Sequence, residues 1–497
     1  MNLERELKLV VPPTFAVPSL DDLVPGVTPV PADERWLEAV YHDTADLRLA
    51  RWGASLRHRD GEGWTLKLAE QPEGDVLVRA EHPFPGDDPA AVPAPAADLV
   101  RAFTRIQPLV AVVEMGTFRR PVRLESATGQ QLAELTDDDV TVRSGGAVVG
   151  RFRELEVEFD EACPPELARA VEARLRGAGA GGVPALSKHL RALGYGASPA
   201  PEITVPDLGP RPTAGDVIHR AIAQSVERLI RHDVVIRLDI DPEGVHQARV
   251  ATRRLRSDLR TFDALVDQGW SRGARDELGW LADMLGGARD TDVLLQRIRD
   301  DAAALPEEEQ AGGAAVVAAL ELADKEIHAQ LLDALRSDRY VQLLETLVAA
   351  ANRPPVLPEA AVPAQQALPP LVRGPWKKLR REVKAAGRDP ADEALHGMRI
   401  QAKRVRYAAE AVAPALGKQA TRFAEAVERL QDVLGSHQDA VVAEEWLRSW
   451  AAGQASPDAA FAAGAIAGRE HAGARAARAD WRRAWKRLDD PDLRDWM

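Results

Sequence analysis

Cysteine is almost missing from this 497-residue chain: Cys163 stands alone, so neither an intrachain disulfide nor a thiolate metal cluster can form. That usage fits a reducing compartment, and the cytoplasm is the expected location. Long apolar runs are missing too, since no stretch reaches the roughly 18 residues that a membrane-spanning helix needs. The N-terminus lacks the signal-peptide order of basic start, long apolar run and small-residue cleavage site. Aromatic residues make up 5% of the chain and do not interleave with its basic stripes, which leaves nucleic-acid bases without stacking platforms. A formal net charge of -13 and a pI near 5.5 argue against a general nucleic-acid coat, although net charge conceals local patches of opposite sign. Neither nucleic acid nor membrane is an expected partner.

With 45% hydrophobic and 28% charged residues the chain has the composition of folded protein, and its length is enough for more than one core. Up to about Ala197 it reads as short alternating runs broken by Gly, Pro and Asp. These are Glu4 to Val11, Ser55 to His58, Trp64 to Leu68, Val76 to Phe84, Val122 to Glu125, Gln131 to Leu135, Val140 to Arg143 and Arg153 to Phe159. Such runs predict an antiparallel sheet or barrel, with helical insertions near Ala97 to Ile106 and Pro165 to Arg176. The proline-rich stretch ASPAPEITVPDLGPRPT, ending at Thr213, reads as a linker.

From Ala214 onward, apolar residues recur at three- and four-residue spacing, which predicts helices throughout. A second proline-rich interruption, Asn352 to Pro370, divides this region, and its halves resemble one another. Val245 to Arg256 (VHQARVATRRLR) aligns without gaps to Leu395 to Arg406 (LHGMRIQAKRVR), and Leu281 to Gly286 with Asp290 aligns to Leu430 to Gly435 with Asp439. Two matched blocks at nearly one offset indicate duplication. The expected fold is therefore multidomain. An N-terminal antiparallel β-barrel (tunnel) α+β domain occupies 1–198, a linker 199–213, and an all-α helical domain with an internal two-fold repeat 214–497, its halves about 214–351 and 371–497.

The charged residues of the first domain are phased. Glu4, Glu6 and Lys8 alternate with Leu3, Leu7 and Leu9; Arg57 and Arg59 are two apart; Lys67 lies between leucines; Arg79 and Glu81 are two apart; Glu154, Glu156 and Glu158 alternate with Leu155, Val157 and Phe159. Successive strand residues face opposite ways, so the charged residues share one face. If the strands close with that face inward, carboxylates and cations line one polar interior. Paired glutamates suit Mg²⁺ or Mn²⁺, and Arg and Lys neutralise phosphate oxygens. Together they describe a polyphosphate site.

Glu4-x-Glu6-x-Lys8, Tyr41-His42-Asp43-Thr44, Leu56-Arg57-His58-Arg59, Thr65-Leu66-Lys67, Glu154 to Glu158 and Ser187-Lys188, in this order, resemble the CYTH domain of the triphosphate tunnel metalloenzymes over roughly 1–198. The resemblance implies an antiparallel barrel forming a tunnel, Mg²⁺ or Mn²⁺ dependence, and hydrolysis or cyclisation of triphosphate-bearing substrates. Carried over, Glu4, Glu6, Glu156 and Glu158 hold metal, and Lys8, Arg57, Arg59, Lys67 and Lys188 grip phosphates. Arg119 or Arg120 adds a cation, and one of Asp137, Asp138 and Asp139 adds an acid.

In the second domain His246, Arg249, Arg253, Arg256 and Arg260 fall within roughly 80° of helix circumference at about 100° per residue, and His396, Arg399, Lys403 and Arg406 form a twin stripe. Lys377, Arg380, Arg381 and Lys384 offer a third row, and Arg475, Arg478, Arg482 and Lys486 a fourth. Like charges on one face repel, and a linear polyanion bridging the rows relieves that repulsion. The duplicated His-x-x-Arg blocks are similar to the CHAD domain over roughly 214–497, which implies a pseudo-symmetric helical domain that binds inorganic polyphosphate along a basic surface. His437 is a further candidate whose counterpart in the first half is Ala288, and Asp283, Asp290, Asp432 and Asp439 are candidates to orient the cations. The expected activity is metal-dependent hydrolysis of inorganic triphosphate, tethered to polyphosphate binding. A non-catalytic polyphosphate-targeting protein and an adenylate cyclase of the same barrel family are the alternatives.

Overall fold

The computed structural model describes residues 2–69, 77–182, 187–195, 198–454 and 456–497. Its contacts divide the chain into two units, Met1–Glu202 and Ile203–Met497.

The first unit is built on ten strands: β1 (Asn2–Val11), β2 (Val27–Pro31), β3 (Arg35–Asp43), β4 (Ser55–Arg59), β5 (Gly63–Ala69), β6 (Leu77–Phe84), β7 (Val110–Ser126), β8 (Gln131–Ser144), β9 (Ala147–Phe159) and β10 (Gly181–Gly182). Short helices α1 (Arg48–Arg51), α2 (Ala94–Leu99), α3 (Arg101–Thr104) and α5 (Lys188–Ala192) accompany α4 (Pro165–Gly177). All pairings are antiparallel. They run β1-β6-β5-β4-β3-β7-β8-β9, and β9 pairs again with β1, which curls the sheet into a tunnel-like wall.

Alternation sets the two faces. Leu7, Leu9 and Val11 of β1 join Leu124, Leu135, Leu155, Val157 and Phe159 in one apolar cluster. Against it α4 packs Leu167, Val171 and Leu175, spaced one turn apart and fully buried. Burying each such side chain is worth roughly 1.5–3 kcal/mol. The opposite phase, with Glu6, Lys8, Glu154 and Glu156, is thereby turned to the interior of the curl.

Three departures from the expected strands have physical reasons. β3 alternates correctly, burying Leu37, Ala39 and Tyr41, but its charged and histidine positions obscure the period. β7 extends over 17 residues where only Val122 to Glu125 was expected. β8 is one strand of 14 residues, not two, because each acid of Asp137-Asp138-Asp139 meets cations on neighbouring strands. Asp137 pairs with Arg153 and Arg120, Asp139 with Arg120, and Asp138 with Arg119. Cross-strand pairing thus overrides the low strand propensity of Asp. Within the stretch read as linker, Glu202 is buried, receiving hydrogen bonds from Trp52 Nε1 at 2.9 Å and Arg105 Nη1 at 3.0 Å.

The second unit is helical: α6 (Ala214–Leu238), α7 (Glu243–Thr261), α8 (Gln268–Ala303), α9 (Gln310–Arg336), α10 (Asp338–Asn352), α11 (Ala364–Ala367), α12 (Pro369–Ala386), α13 (Asp392–Leu416), α14 (Lys418–Ala452) and α15 (Pro457–Leu488). Thr213 opens α6 with a reciprocal cap to Asp216. The two matched sequence blocks lie on α7 followed by α8 and on α13 followed by α14, with α8 and α14 of 36 and 35 residues. The proline-rich interruption between α10 and α12 is pinned by bridges from Val356 to Val266 and from Pro363 to Thr213. Among the described residues no helix is long and apolar enough to cross a membrane.

On α7, Asp258 is 1% exposed and neither carboxylate oxygen has a hydrogen-bond partner among the described residues. Burial pushes its carboxyl up to about 7, with Arg254 opposing and Glu410 adding to the rise. The folded chain thus holds this proton more tightly than the unfolded chain, so stability falls as pH rises from about 4 through about 7. Thermal melts of wild type and Asp258→Asn are expected to diverge between about pH 5 and pH 8, the wild type losing on the order of 1–3 kcal/mol relative to the variant; parallel curves would contradict it.

Candidate functional site

The interior of the curled sheet gathers side chains from distant parts of the chain. A cavity of about 50 Å³ is lined by Glu6 and Lys8 of β1, Tyr41 of β3, Ser55, Arg57 and Arg59 of β4, Lys67 of β5, Arg119 of β7, Glu156 and Glu158 of β9, and Ser187, Lys188 and His189 at the start of α5. Glu6, Glu156, Glu158, Lys8, Arg57, Arg59, Lys67 and Lys188, carried over as metal and phosphate ligands, are among them, whereas Glu81, Glu154 and the acids Asp137 to Asp139 are not. Glu4 belongs to β1, but its side chain lies outside the described residues. Six Lys and Arg side chains line it with three Glu side chains, while Glu81, Glu62, Asp138 and Glu154 pair with Lys67, Arg59, Arg119 and Lys188 from outside the lining.

Register explains the arrangement. Lys8 lies directly across from Glu156, and Glu6 directly across from Glu158. The first pair is an ion pair, Lys8 Nζ to Glu156 Oε1 at 2.7 Å. The second sets two carboxylates opposite each other, which is unfavourable without a cation between or beside them; Lys8 supplies one, 3.2 Å from Glu6 Oε2. Arg119 forks onto Asp138, with Nε to Oδ1 at 2.9 Å and Nη2 to Oδ2 at 2.7 Å, and also reaches Glu156 Oε2 at 2.9 Å. Lys188 touches Asp138 at 2.5 Å, Glu154 at 3.2 Å and Glu156 at 3.4 Å. β4, with Arg57 and Arg59, stands three pairings from β1 and four from β9, so these arginines enter the cavity from a different wall than the strands that carry the glutamates.

Electrostatics follow from this packing. Burial pushes the Glu156 carboxyl up, but Lys188, Lys8 and Arg119 outweigh it and hold the group well below the usual carboxylate range. Burial wins at Glu154, raising it despite Lys188. At Lys188 burial is outweighed by Glu156, Asp138 and Glu154, so the ammonium is held charged above its ordinary value. Tyr41, stacked on His189 at 5.0 Å, is raised by burial but lowered on balance by Arg57, Arg59, Lys188 and Lys67. Paired glutamates and converging cations can take up a hard divalent ion beside a phosphate chain. A void of 50 Å³ admits only a few water-sized spheres, so a bound anion must draw the cations away from the carboxylates they now contact.

Of the alternatives left open by sequence, Arg119 lines the cavity whereas Arg120 is partly exposed, pairing with Asp139 at 2.8 Å and lying over Phe118; Asp137 and Asp138 are both buried, and Asp138 is the one that contacts Arg119 and Lys188. Tyr41 and His189 were not singled out from sequence, although Tyr41 opens a noted motif. The rest of that motif is architectural: Asp43 accepts hydrogen bonds from the backbone of Thr44, Leu49 and Ala50, fixing the turn into α1.

In the helical unit, His246, Arg249 and Arg253 of α7 and His396, Arg399 and Tyr407 of α13 line one cleft of about 450 Å³ with Arg289 and Arg297 of α8. Asp290 contacts Arg249 at 2.8 Å, and Asp439 contacts Arg399 at 3.6 Å, so equivalent acids hold equivalent arginines. Lys403 lies in the same field: burial, then Arg253, Arg399 and Arg249, bring its amine down to about 7. The remaining candidates lie elsewhere. Arg256 rests beside Gly279, and Arg260 is pressed by burial and by Arg404 and Arg256. Arg406 is taken up by Glu410 and Glu428, each at 2.6 Å. Lys377, Arg380, Arg381 and Lys384 form the exposed face of α12, opposite buried Trp376 and Leu379, and Arg380 pairs with Asp489. His437 is buried beside Asp392 at 3.2 Å, and its counterpart Ala288 is also buried. Arg289 and Arg297 were missed because they sit on α8, outside the His-x-x-Arg block. A separate group able to hold a metal ion, Asp292, Asp324 and His328, was also missed, since its members come from two helices.

Comparison with known proteins agrees with this architecture. The CYTH domain family matches residues 2–189 and the CHAD domain family residues 220–448. An uncharacterized protein of Mycobacterium tuberculosis is 34% identical over 476 residues, 90% of this chain and 88% of its own length. Among solved structures, the CHAD domain from the plant Ricinus communis is similar at 28% identity, covering 57% of this chain and 95% of its own, with a TM-score of 0.48. PptA from Streptomyces chartreusis is similar at 24% identity, covering 55% of this chain and 99% of its own, also with a TM-score of 0.48. The chain thus belongs to the proteins in which a CYTH domain is fused to a CHAD domain.

Proposed function

We propose that the CYTH domain hydrolyses triphosphate-bearing substrates, inorganic triphosphate foremost, and that the CHAD domain, a duplicated helical fold, holds inorganic polyphosphate. The observation that carries the reading is the convergence of Lys8, Arg57, Arg59, Lys67, Arg119 and Lys188 with Glu6, Glu156 and Glu158 on one interior. Phosphoryl transfer to water depends on positioning and charge neutralisation more than on covalent chemistry by the protein. Glu6, Glu156 and Glu158, with Glu4, would hold Mg²⁺ or Mn²⁺, and the opposed carboxylates of Glu6 and Glu158 fit such an ion. When bound, the ion supplies charge neutralisation at phosphate oxygens. The cations bind and align the phosphate chain, and Lys188, held charged by Glu156, Asp138 and Glu154 against the effect of burial, keeps its proton while doing so.

Phosphate release from inorganic triphosphate, ATP and thiamine triphosphate, measured side by side with Mg²⁺ or Mn²⁺, tests this directly. Triphosphate turnover is expected; no turnover with either metal would leave a non-catalytic polyphosphate-targeting protein, and cyclic nucleotide formed from ATP would indicate the cyclase. Arg57→Ala is expected to lower kcat/KM for triphosphate by roughly 10²–10³-fold with unchanged thermal unfolding.

For the helical domain, long-chain polyphosphate is expected to raise Tm by binding only the folded chain. Replacing Arg253 and Lys403 together with Glu should abolish the rise while triphosphate hydrolysis persists. Since the Lys403 amine stands at about 7 and a bound polyanion favours its charged form, affinity should decline as pH rises through about 7. Lys403→Arg, charged throughout, is expected to remove that decline in titrations at constant salt; an identical pH profile in variant and wild type would refute it.

A further inference from the structure

Beside the basic cleft, in a neighbouring cleft that shares Arg289 and Arg297 with it, Asp292 of α8 and Asp324 and His328 of α9 converge so that one ligand atom from each lies within 4.8 Å of the others. Asp324 and His328 are four residues apart on one helix and share a face, and Asp292 meets them from the neighbouring helix. His328 Nε2 stands 3.2 Å from Asp292 Oδ1 and 3.7 Å from Asp324 Oδ1, with the three side chains only 18%, 11% and 21% exposed. The other ring nitrogen, Nδ1, faces Asp239 Oδ1 at 3.6 Å.

Two features distinguish this group from an ordinary histidine ion pair. Three carboxylates surround one imidazole, so the group stays acidic even with the ring protonated, and Arg289 comes only to 4.0 Å from Asp292 Oδ2. Moreover, Asp292 Oδ2 and Asp324 Oδ1 are buried atoms with no hydrogen-bond partner among the described residues, an arrangement that is costly unless a cation binds them. A carboxylate on the far ring nitrogen is the usual device that orients a ligating imidazole and fixes its tautomer.

We propose that Asp292, Asp324 and His328 form a binding site for a divalent first-row transition-metal ion in the helical domain, with Asp239 positioning the imidazole. One nitrogen and two carboxylate oxygens suit Mn²⁺, Co²⁺ or Zn²⁺ better than Mg²⁺, which prefers an all-oxygen octahedron. The three side chains line a cleft of about 860 Å³, so the remaining coordination positions are open to water or an exogenous ligand. The site is distinct in its ligands from the tunnel carboxylates, and the proposal does not depend on catalysis there.

Full-length protein titrated with CoCl₂ and followed by visible absorption, with MnCl₂ stoichiometry by electron paramagnetic resonance, tests the site. Wild type is expected to bind one equivalent more than His328→Ala and than Asp324→Asn, whatever the tunnel itself binds. Asp239→Asn should keep the equivalent but weaken it by roughly 10–100-fold. Melting without metal establishes that each variant is folded, and triphosphate hydrolysis should be unchanged in His328→Ala. Equal stoichiometry and affinity in wild type and both ligand variants would overturn the proposal.

Discussion

The interaction on which the first unit turns is the buried network around Glu156. A lone carboxylate taken fully out of water is among the costliest elements a fold can contain, and removing one partner from a buried pair costs more than the pair contributes. Here one carboxylate meets Lys8 from β1, Arg119 from β7 and Lys188 from α5. The strands must therefore curl to bring all three to one point, and the apolar cluster under α4 provides the force that keeps them there. The same constraint serves the proposed function, since cations held by carboxylates in a buried interior can exchange those partners for phosphate.

The helical unit solves a similar problem differently. Its arginines face a wide cleft instead of a closed interior, and Asp290 and Asp439 temper Arg249 and Arg399 without neutralising the whole surface. The amine of Lys403, brought down by burial and then by Arg253, Arg399 and Arg249, records part of the residual repulsion. One unit thus offers a closed charged interior, whereas the other offers an open basic cleft.

Much of the tunnel was legible because a strand repeats every two residues and the glutamates of β1 and β9 keep that period without interruption. What pairs with what was not. Asp138 could not be told from Asp137 and Asp139 until the register against Arg119 was known, because a shift of one residue exchanges inside for outside. β3 stayed hidden because its inward Tyr41 and its neighbours His42 and Asp43 read as a motif, not as a strand. On the helices, periodicity placed His246, Arg249 and Arg253 together correctly, but could not reveal that Glu410 and Glu428 claim Arg406, nor that Arg289 and Arg297 enter from α8. Contacts between helices have no period in sequence, and the Asp292, Asp324 and His328 group is invisible for that reason.

The position of β1 between β6 and β9 carries a consequence in time. Lys8 and Glu156 are 148 residues apart, so during synthesis, at about 5–20 residues per second, the first strand waits on the order of ten seconds for its second neighbour to emerge. Throughout that interval one edge of β1 is unsatisfied and its leucine face uncovered, an exposure that invites mispairing. Its alternating charges are then a safeguard as well as a binding surface. Glu6 and Lys8 make that waiting edge a poor template for another chain, so the residues proposed to hold metal and phosphate in the finished tunnel also protect the unfinished one.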